Sequence, residues 1–398
     1  MTNLTPVLLG LDLNAYSVAL SFYETYGVIS HAFGRYPCGI TRYSGIVESH
    51  VVPDILEQKG VAALLSFAAA HKGEDLFLVP CGDWYLHFVL DHRDALSTAF
   101  RMFLPEKTVA KTLSDKSEFF ALCVKHGIPT PKTEILTDLG DKDRFFLGGE
   151  IGFPSVLKAA DSTEYFAHPH EGQRKADFPK TPKEAEAVLE RVFRSGYTGK
   201  MIWQEYIPAR SAETLTVYAD AYCRVRCAVR AKVLLEEQAP RARGNYSALQ
   251  SLPLDGLCRD LVRFTEAVGY RGICNYDILR SSKGDCVLEL NPRQGRSCDY
   301  LRAAGISLAS LLVGGADGVY QPARFTYREA LWRCVGRSTL RRLCAPEDRQ
   351  TVEELEREGK VFSPFSNSSD RAPRHTAYVA VHLLRRGNAV RKYAKEAL

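Results

Sequence analysis

The apolar positions of the first hundred residues alternate between short continuous runs and stretches with helical spacing. Strands that alternate with helices are typical of a parallel α/β sheet. The turn after the first predicted strand, residues 10–14, lacks the glycine pattern of dinucleotide-binding folds, so we expect another kind of ligand at the strand ends. The pattern predicts strands at 6–10, 29–33, 47–52 and 76–80, and helices at 14–26 and 54–71.

Polar residues follow these predicted strands and are candidates for contacts with that ligand. Ordinary turn residues are the alternative interpretation of the same positions. The candidates are Asp12, Asn14, Arg35, Cys81, Gly82 and Asp83.

A break rich in proline and glycine and one long polar segment mark the middle of the chain. Lys107–His126 predicts two helical pieces that end at residues 127–131, and we place a domain boundary near 100–106. The polar segment 159–182 is too long for a passive connection, which predicts a mobile functional flap. Around it we predict a strand at 153–158, a helix at 183–194 and a strand at 200–208.

A stripe of cations runs along the second half of a predicted hairpin at 213–236. Arg224, Arg226, Arg230 and Lys232 alternate with apolar residues, and a period of two places all four on one face. Arginine suits two-point contacts with phosphate, and lysine acts as a point charge. We interpret Arg230 and Lys232 as functional and the other two as solvated surface. Further helices are predicted at 257–268, 307–314, 331–343 (basic) and 346–359 (acidic), before a basic tail.

A second hairpin, formed by residues 275–280 and 286–293, presents oxygen ligands on one face. If Arg280 pairs with Cys286, Asp277 falls directly opposite Glu289, and two carboxylates in that position repel each other. Asn291 points to the same face, while Leu288 and Leu290 point into a core.

A divalent cation between the two carboxylates would remove their repulsion. Asp277, Glu289 and Asn291 supply the hard oxygen ligands that Mg²⁺ prefers, and Mg²⁺ keeps positions open for water and phosphate. A solvent-facing polar edge is the alternative. With lysines from two other segments and the cation stripe, the pattern indicates a nucleoside triphosphate. The sequence has no Walker A motif, kinase motif set or serine-hydrolase elbow.

The distribution of charge and the number of cysteines indicate possible partners and the cellular compartment. The net charge is +5, but residues 321–398 carry 16 Lys and Arg against 9 Asp and Glu. This basic region is interpreted as solvated surface, with an anionic partner or membrane surface as the alternative. Eleven cysteines without a C-x-x-C pair predict free thiols in the cytoplasm. We find neither a signal peptide nor an apolar run long enough to span a membrane.

Several short motifs, in this order and spacing, resemble those of the ATP-grasp superfamily. The resemblance covers about residues 1–320. It implies an ATP-grasp fold, α/β overall and α+β in the C-terminal half. The motifs are DK at 115–116, GIPTP at 127–131, LK at 157–158, QEYI at 204–207, and Asp277 with ELNPR at 289–293.

The resemblance also implies a domain division. An N-terminal parallel α/β pre-grasp domain would span 1–105, and the ATP-grasp domain 106–320. The latter would have a small lobe, 106–200 with the flap 159–182, and a large lobe, 201–320. Residues 321–398 would form a basic extension. One departure is that residues 159–164 (AADSTE) replace the glycine-rich phosphate loop common in the superfamily.

The resemblance further implies an enzyme that uses ATP and Mg²⁺ to phosphorylate a carboxylate, which an amine then attacks. Asp277, Glu289 and Asn291 would hold Mg²⁺, and Arg293 would contact the reacting phosphoryl group or carboxylate. Separately from the resemblance, the cation stripe predicts that Arg230 and Lys232 lie beside the metal and hold phosphate oxygens. Lys116 and Lys158 would contact phosphates, Gln204, Glu205, Tyr206 and Ile207 would contact adenine through their backbone, and Glu213 would lie near the ribose.

Looser strings, at 6–16, 32–35 and 243–246 (RGNY), are similar to the D-aspartate ligases of peptidoglycan cross-bridge synthesis. That similarity implies that the D-aspartate β-carboxylate is joined to a lysine amine of a UDP-linked muropeptide, with no nucleic acid and at most peripheral membrane contact. The alternatives are a ligase for another amino acid or a soluble dipeptide, and a non-catalytic ATP-binding regulatory module. Candidate substrate contacts are Asp12, Asn14, Arg296 and Asn245.

Overall fold

The computed structural model describes residues 3–145, 149–237, 244–325 and 327–396, and begins with a parallel sheet. Its strands lie in the order β3-β2-β1-β4 and all run parallel. They are β1 (Leu4–Leu9), β2 (Ser30–Gly34), β3 (Val47–Val51) and β4 (Asp75–Pro80). The helices of this part are α1 (Leu13–Tyr26), α2 (Gly39–Arg42), α3 (Gln58–Ala70), α4 (Asp83–Asp91) and α5 (Arg93–Leu96).

Helices cover both faces of this sheet, as the continuous apolar runs of its strands require. Leu8 of β1 belongs to a core cluster that includes α1, whereas Val7 and Leu9 belong to a cluster that includes α3. The Asp12 carboxylate caps α1, accepting from the backbone N–H groups of Asn14 at 3.1 Å and Ala15 at 3.4 Å. Because Asp12 follows β1 directly, this cap lies at the carboxyl edge of the sheet.

A small antiparallel sheet with helices packed against it forms the next part of the chain. Its strands lie in the order β5-β7-β6. Asp115 caps α7 through the N–H groups of Ser117 and Glu118, which fixes Lys116 in the first turn of the helix. In chain order the elements are α6 (Lys107–Ser114), α7 (Lys116–Lys125), β5 (Thr133–Leu136), β6 (Ser155–Ala159), α8 (Ser162–Ala167), α9 (Pro182–Arg194) and β7 (Met201–Glu205), with a 3₁₀ helix at Leu139–Phe145.

The segment 159–182 is more structured than the predicted flap. It contains α8, and its second half pairs with the edge of β6, since Leu157 and Asp177 exchange backbone hydrogen bonds of 2.9 and 2.8 Å. The segment therefore lies along the small sheet.

A larger, mostly antiparallel sheet makes up the second half of the protein. Its described strands lie in the order β12-β11-β8-β9-β10-β13-β14. Before residue 320 its elements are β8 (Ser211–Ala219), β9 (Val225–Glu236), β10 (Tyr246–Leu252), α10 (Gly256–Ala267), β11 (Gly272–Arg280), β12 (Cys286–Asn291), α11 (Tyr300–Ala303) and α12 (Leu308–Ala316). After it come β13 (Leu331–Arg333), α13 (Arg337–Leu343), α14 (Arg349–Arg357), β14 (Val361–Phe362) and α15 (Pro373–Glu396), with a 3₁₀ turn at Pro346–Asp348.

The C-terminal region corrects two predicted elements. The helix predicted at 331–343 begins as a strand, because Leu331 and Trp332 pair with β10 on one side and with β14 on the other. The predicted basic tail is a helix, α15, which packs against α2 and α13. Helical spacing of the apolar residues could not reveal the strand pairing, which depends on residues about 80 positions earlier in the chain.

The C-terminal region is tied to the N-terminal sheet by one buried carboxylate. Asp370 accepts hydrogen bonds from Ser44 Oγ at 2.7 Å, Gly45 N at 3.0 Å and Tyr16 Oη at 3.2 Å. His375 stacks on Tyr16, with ring centroids 5.0 Å apart. Because an uncompensated buried carboxylate is costly, these bonds fix α15 in place against the sheet.

The described helices include none that combines the length and the apolar character needed to cross a membrane.

We expect Gly60→Ala to destabilise the N-terminal part. A Cβ at Gly60 would lie 1.9 Å from the carbonyl oxygen of Ile55, so the backbone would have to move. Overpacking of this kind costs about 1–3 kcal/mol, and the free energy of unfolding should fall by that amount in urea titrations followed by circular dichroism. The matched control is Gly256→Ala, where a Cβ meets nothing within 4 Å. Equal unfolding midpoints in the two variants would contradict the packing argument.

Candidate active site

The hairpin β11–β12 places Asp277 directly opposite Glu289, as predicted, although by a different route. Leu279, not Arg280, pairs with Cys286, and a bulge then restores the expected pairing. Leu288 is the extra residue of the bulge. It is only half-buried, so Val287 and Leu290, rather than Leu288 and Leu290, enter the core.

Three lysines from separate segments surround this carboxylate pair. The ammonium of Lys116 lies 3.5 Å from Glu289 Oε2. Lys158, on β6, lies 5.6 Å from the ring centroid of Phe120, and its charge acts on Glu289. Lys175, from the 159–182 segment, exerts the largest favourable electrostatic effect on Glu289. Its ammonium also lies close to Gly244, where an added Cβ would be 3.0 Å away.

The two carboxylates of the pair have opposite pKa shifts. Burial, and then the negative charge of Glu289, raise the pKa of Asp277 to about 8. Burial opposes ionisation of Glu289 as well, but Lys175, Lys116 and Lys158 together hold its pKa well below the usual value. Of the two, Asp277 is therefore the carboxylate that favours the protonated form, and Glu289 is the one that favours the ionised form.

This donor set fits a divalent cation. Ionising both Asp277 and Glu289 is energetically unfavourable unless a cation lies between them. The Tyr246 hydroxyl, 2.7 Å from Asp277 Oδ1, orients the Asp277 carboxylate. The Asn291 side chain lies beside Glu289, with its Nδ2 3.5 Å from Glu289 Oε1. Carboxylate and amide oxygens are the ligands that Mg²⁺ prefers.

Arg293 connects this site to the N-terminal sheet. Its guanidinium makes a two-point contact with Asp83, at 2.8 and 2.6 Å, and lies 3.3 Å from Asn291 Oδ1. The next residue, Gln294, donates to the carbonyl of Pro80 at 2.7 Å. Asp83 and Pro80 stand at the carboxyl end of β4, so the end of β12 is docked onto the edge of the parallel sheet.

The predicted cation stripe does not reach the carboxylate pair. Asp277 pairs with Thr214, and Thr214 pairs with Ala231, so these residues share one face of the large sheet. Arg230 and Lys232 flank Ala231 and point to the other face, because neighbours along a strand alternate. The prediction that Arg230 and Lys232 stand beside the metal is therefore wrong.

The opposite face holds an ion network that also occupies Glu213. Arg230 contacts both Glu213 oxygens at 2.7 Å, and Arg280 contacts Oε2 at 2.8 Å. Lys232 instead pairs with Asp348 of the C-terminal region. The structure thus corrects the ribose prediction for Glu213, since its carboxylate is already bound by two guanidinium groups on the face away from Asp277.

The predicted adenine segment runs from the end of β7 into a more exposed connection. Gln204 is buried and donates to Thr133 Oγ1 at 2.9 Å, and Glu205 accepts from the backbone N–H of Lys132 at 2.9 Å. Tyr206 is 46% exposed, with its ring 6.2 Å from that of Phe178. Ile207 is half-buried. These side-chain hydrogen bonds hold the segment 204–207 against β5. The contact of its backbone with adenine stays a prediction.

The four predicted substrate residues lie around the segment after Arg293. Asn14 is buried against it, with its Nδ2 3.4 Å from the Gln294 carbonyl. Arg296 and Arg293 both attract the exposed carboxylate of Asp12. Arg296 lies 3.2 Å from Glu237, whose backbone N–H donates to the Asn245 carbonyl at 3.0 Å. Arg243 of the RGNY string lies outside the described residues.

Two important residues of this site are absent from the sequence prediction. Lys175 lies in the segment interpreted as a flap, and only the adjacent Arg174–Lys175 charges there could have indicated a phosphate contact. Tyr246 belongs to the RGNY string at 243–246, which indicated only the similarity to D-aspartate ligases. Its contact with Asp277 spans two strands that are not neighbours in the sheet, which the sequence could not show.

Comparisons with known proteins show which proteins this chain resembles in sequence and in fold. No protein-family model matches the chain. It is 28% identical over 390 residues to a D-aspartate ligase from Enterococcus faecium strain Aus0004, an alignment that covers 92% of this chain and 91% of that protein. The similarity predicted from the sequence is therefore confirmed.

Solved structures share the fold at lower identity. The biotin carboxylase domain of Hydrogenobacter thermophilus 2-oxoglutarate carboxylase, solved with MgADP, ADP and bicarbonate, aligns with a TM-score of 0.64 and 16% identity over 82% of this chain and 72% of that one. An ADP complex of N5-carboxyaminoimidazole ribonucleotide synthetase gives 0.61 and 10% over 83% and 81%. An L-amino acid ligase from Bacillus licheniformis gives 0.56 and 13% over 81% and 78%.

If the carboxylate pair binds a divalent cation, adding Mg²⁺ should raise the thermal unfolding midpoint, since a ligand that binds only the folded state stabilises it. Glu289→Gln should abolish that rise, because it removes one of the two opposed charges. Lys232→Met is the control. It disrupts the ion pair with Asp348 on the opposite face and should keep the rise. An equal Mg²⁺ response in wild type and Glu289→Gln, measured by differential scanning fluorimetry, would contradict the assignment.

Proposed function

We propose that this chain, which has the ATP-grasp fold, is an ATP-dependent ligase that forms an amide bond between a carboxylate and an amine, releasing ADP and phosphate. The observation that carries the proposal is the opposed pair Asp277 and Glu289, with Lys116, Lys158 and Lys175 around it. Two acids that favour a divalent cation, beside three ammonium groups, suit a Mg²⁺–triphosphate.

The residues of the site have distinct proposed roles. Asp277, Glu289 and Asn291 would hold Mg²⁺, which would supply positive charge to offset the negative charge of the phosphates. Lys116, in the first turn of α7, and Lys158, on β6, would contact the phosphates. Segment 204–207 would contact adenine.

The proposed reaction has two steps. A substrate carboxylate oxygen attacks the γ-phosphorus of ATP, and ADP leaves with the electrons of the broken P–O bond. The amine then attacks the carbonyl carbon of the acyl phosphate, loses a proton, and expels phosphate. Lys158 and Lys175 stabilise the charge that develops on the transferring group, and Arg293, held by Asp83, orients the carboxylate.

Lys175 gives the 159–182 segment a specific role in this reaction. The segment already lies along β6 and carries Lys175 towards the carboxylates. An acyl phosphate is lost if water reaches it, and a cover that also supplies a cation protects it while completing the site.

The substrates we propose are D-aspartate, through its β-carboxylate, and the lysine side-chain amine of a UDP-linked peptidoglycan precursor. The similarity to the Enterococcus faecium D-aspartate ligase, nearly end to end, supports this choice. Asp12 and Arg296 are suited to the ammonium and the second carboxylate of an acidic amino acid. We place the protein in the cytoplasm, since its eleven cysteines are free and mostly buried.

The alkaline side of the pH profile should depend on Lys158. Burial, and then the charge of Lys116, lower the pKa of Lys158 to about 8, so its ammonium is lost as pH rises past that value. We expect kcat/KM for ATP, measured at saturating Mg²⁺ with hydroxylamine as acceptor, to fall about tenfold per pH unit above this pKa. Lys158→Arg should be slower but lack this fall, since a guanidinium stays charged. An unchanged fall in Lys158→Arg would exclude Lys158 as its origin.

A screen of amino acids with ATP, Mg²⁺ and hydroxylamine, detected as hydroxamate and ADP, tests the function. We expect D-aspartate to give product, and Glu289→Gln to give none, while Lys232→Met keeps activity within a few-fold. Product with another acid alone would overturn the D-aspartate proposal and retain the ligase. A protein that binds ATP but yields no product with any acid would be a regulatory ATP-binding module instead.

A further inference from the structure

A second cluster of ligating side chains lies on the N-terminal sheet, away from the candidate active site. Strands β2 and β3 pair in parallel, with His31 opposite Glu48 and Phe33 opposite His50. All four side chains therefore share one face. Asp12 and Asp83 stand beyond the carboxyl ends of β1 and β4, whereas His31 and Glu48 each lie near the amino end of their strand.

The ligating atoms of this cluster are close to one another. His31 Nδ1 lies 3.1 Å from His50 Nε2 and 3.5 Å from Glu48 Oε2. Two ligands of a tetrahedral ion with bonds of about 2.0–2.1 Å are separated by about 3.3 Å. Two of the three distances thus match the ligand separation of a tetrahedral coordination shell, and the third is within 4.8 Å.

A third histidine stands beside these groups with its tautomer already fixed. His71 Nδ1 lies 2.8 Å from the carbonyl of Phe67, which can only accept, so Nδ1 donates and Nε2 keeps a free lone pair. The His71 ring centroid lies 5.4 Å from that of His31. His71 is nevertheless outside the group of residues whose ligating atoms lie within 4.8 Å of one another, so it borders the cluster and is not counted as a ligand.

Packing and exposure suit a site that is shaped yet open to solvent. The Phe67 ring lies 4.9 Å from His31 and 5.7 Å from His50, centroid to centroid, which limits how far the imidazoles can turn. Glu48 has 61% of its side chain exposed, and β3 is the edge strand of the sheet. An ion can therefore enter from the strand edge.

We propose that His31, Glu48 and His50, whose ligating atoms all lie within 4.8 Å of one another, form a binding site for a transition-metal ion of the Zn²⁺ class, with the fourth position open to water. Two imidazoles and one carboxylate suit Zn²⁺ better than Mg²⁺, which prefers oxygen ligands alone. The ion would join β3 to β2, and so stabilise the edge of the N-terminal sheet.

The test uses the full chain, treated with a chelator and then held at saturating Mg²⁺ so that the carboxylate pair is occupied. Co²⁺ is added first and Zn²⁺ second, without nucleotide, so the result does not depend on ligase activity. We expect one equivalent of Co²⁺ with the intense visible absorption of a tetrahedral site, displaced by Zn²⁺. His50→Ala should weaken binding roughly 100-fold.

Two further variants keep the test decisive. Glu48→Gln preserves the shape of an exposed side chain, so its folding should be unaffected, and we expect at least tenfold weaker Co²⁺ binding. His92→Ala, between α4 and α5, should bind like wild type. The proposal is overturned if wild type takes up no Co²⁺, if Glu48→Gln and His50→Ala both bind as tightly as wild type, or if a thiolate charge-transfer band shows that cysteines are the ligands.

Discussion

The repulsion between Asp277 and Glu289 is the constraint on which the candidate site depends, because the surrounding residues must offset it. The two carboxylates face each other across β11 and β12 in a largely buried position. Three lysines lower the cost of the charge on Glu289, and the hydroxyl of Tyr246 fixes Asp277. Each of these groups comes from a different element, so the small sheet, the 159–182 segment and β10 must all be in place before the pair is tolerated.

Alternation along the strands of the large sheet separates two electrostatic environments. One face carries the carboxylate pair, with Lys116, Lys158 and Lys175 around it. The other carries Glu213, Arg230 and Arg280, whose charges are matched among themselves and with Asp255. The two sets of side chains lie on opposite faces of the sheet. Arg230 and Arg280 can therefore stabilise the sheet without neutralising the carboxylate pair, which keeps its affinity for a cation.

Predictions from the sequence were right where the local pattern of apolar and polar residues determines the structure. They were wrong where the structure depends on pairing between strands that are far apart in the chain. The alternation around Asp277 and Glu289 predicted both the hairpin and the direction of its ligands, and the βα pattern of the first hundred residues predicted the parallel sheet. The bulge at Leu288 and the strand at Leu331–Arg333 depend on pairing with other strands. Arg230 and Lys232 were placed on the correct strand but on the wrong face, because a period of two cannot say which face meets the ligand. Lys175 depends on how a long segment folds back, which no periodicity describes.

The bond between Tyr16 and Asp370 has a consequence for how the protein is made. The two residues are separated by 354 positions. At typical rates of about 5–20 residues per second, a ribosome needs roughly 20–70 s to synthesise the chain between them. Throughout that interval the nascent N-terminal sheet exists without the carboxylate that accepts from Tyr16, Ser44 and Gly45. The N-terminal sheet is thus completed by a carboxylate that is translated 354 residues after Tyr16.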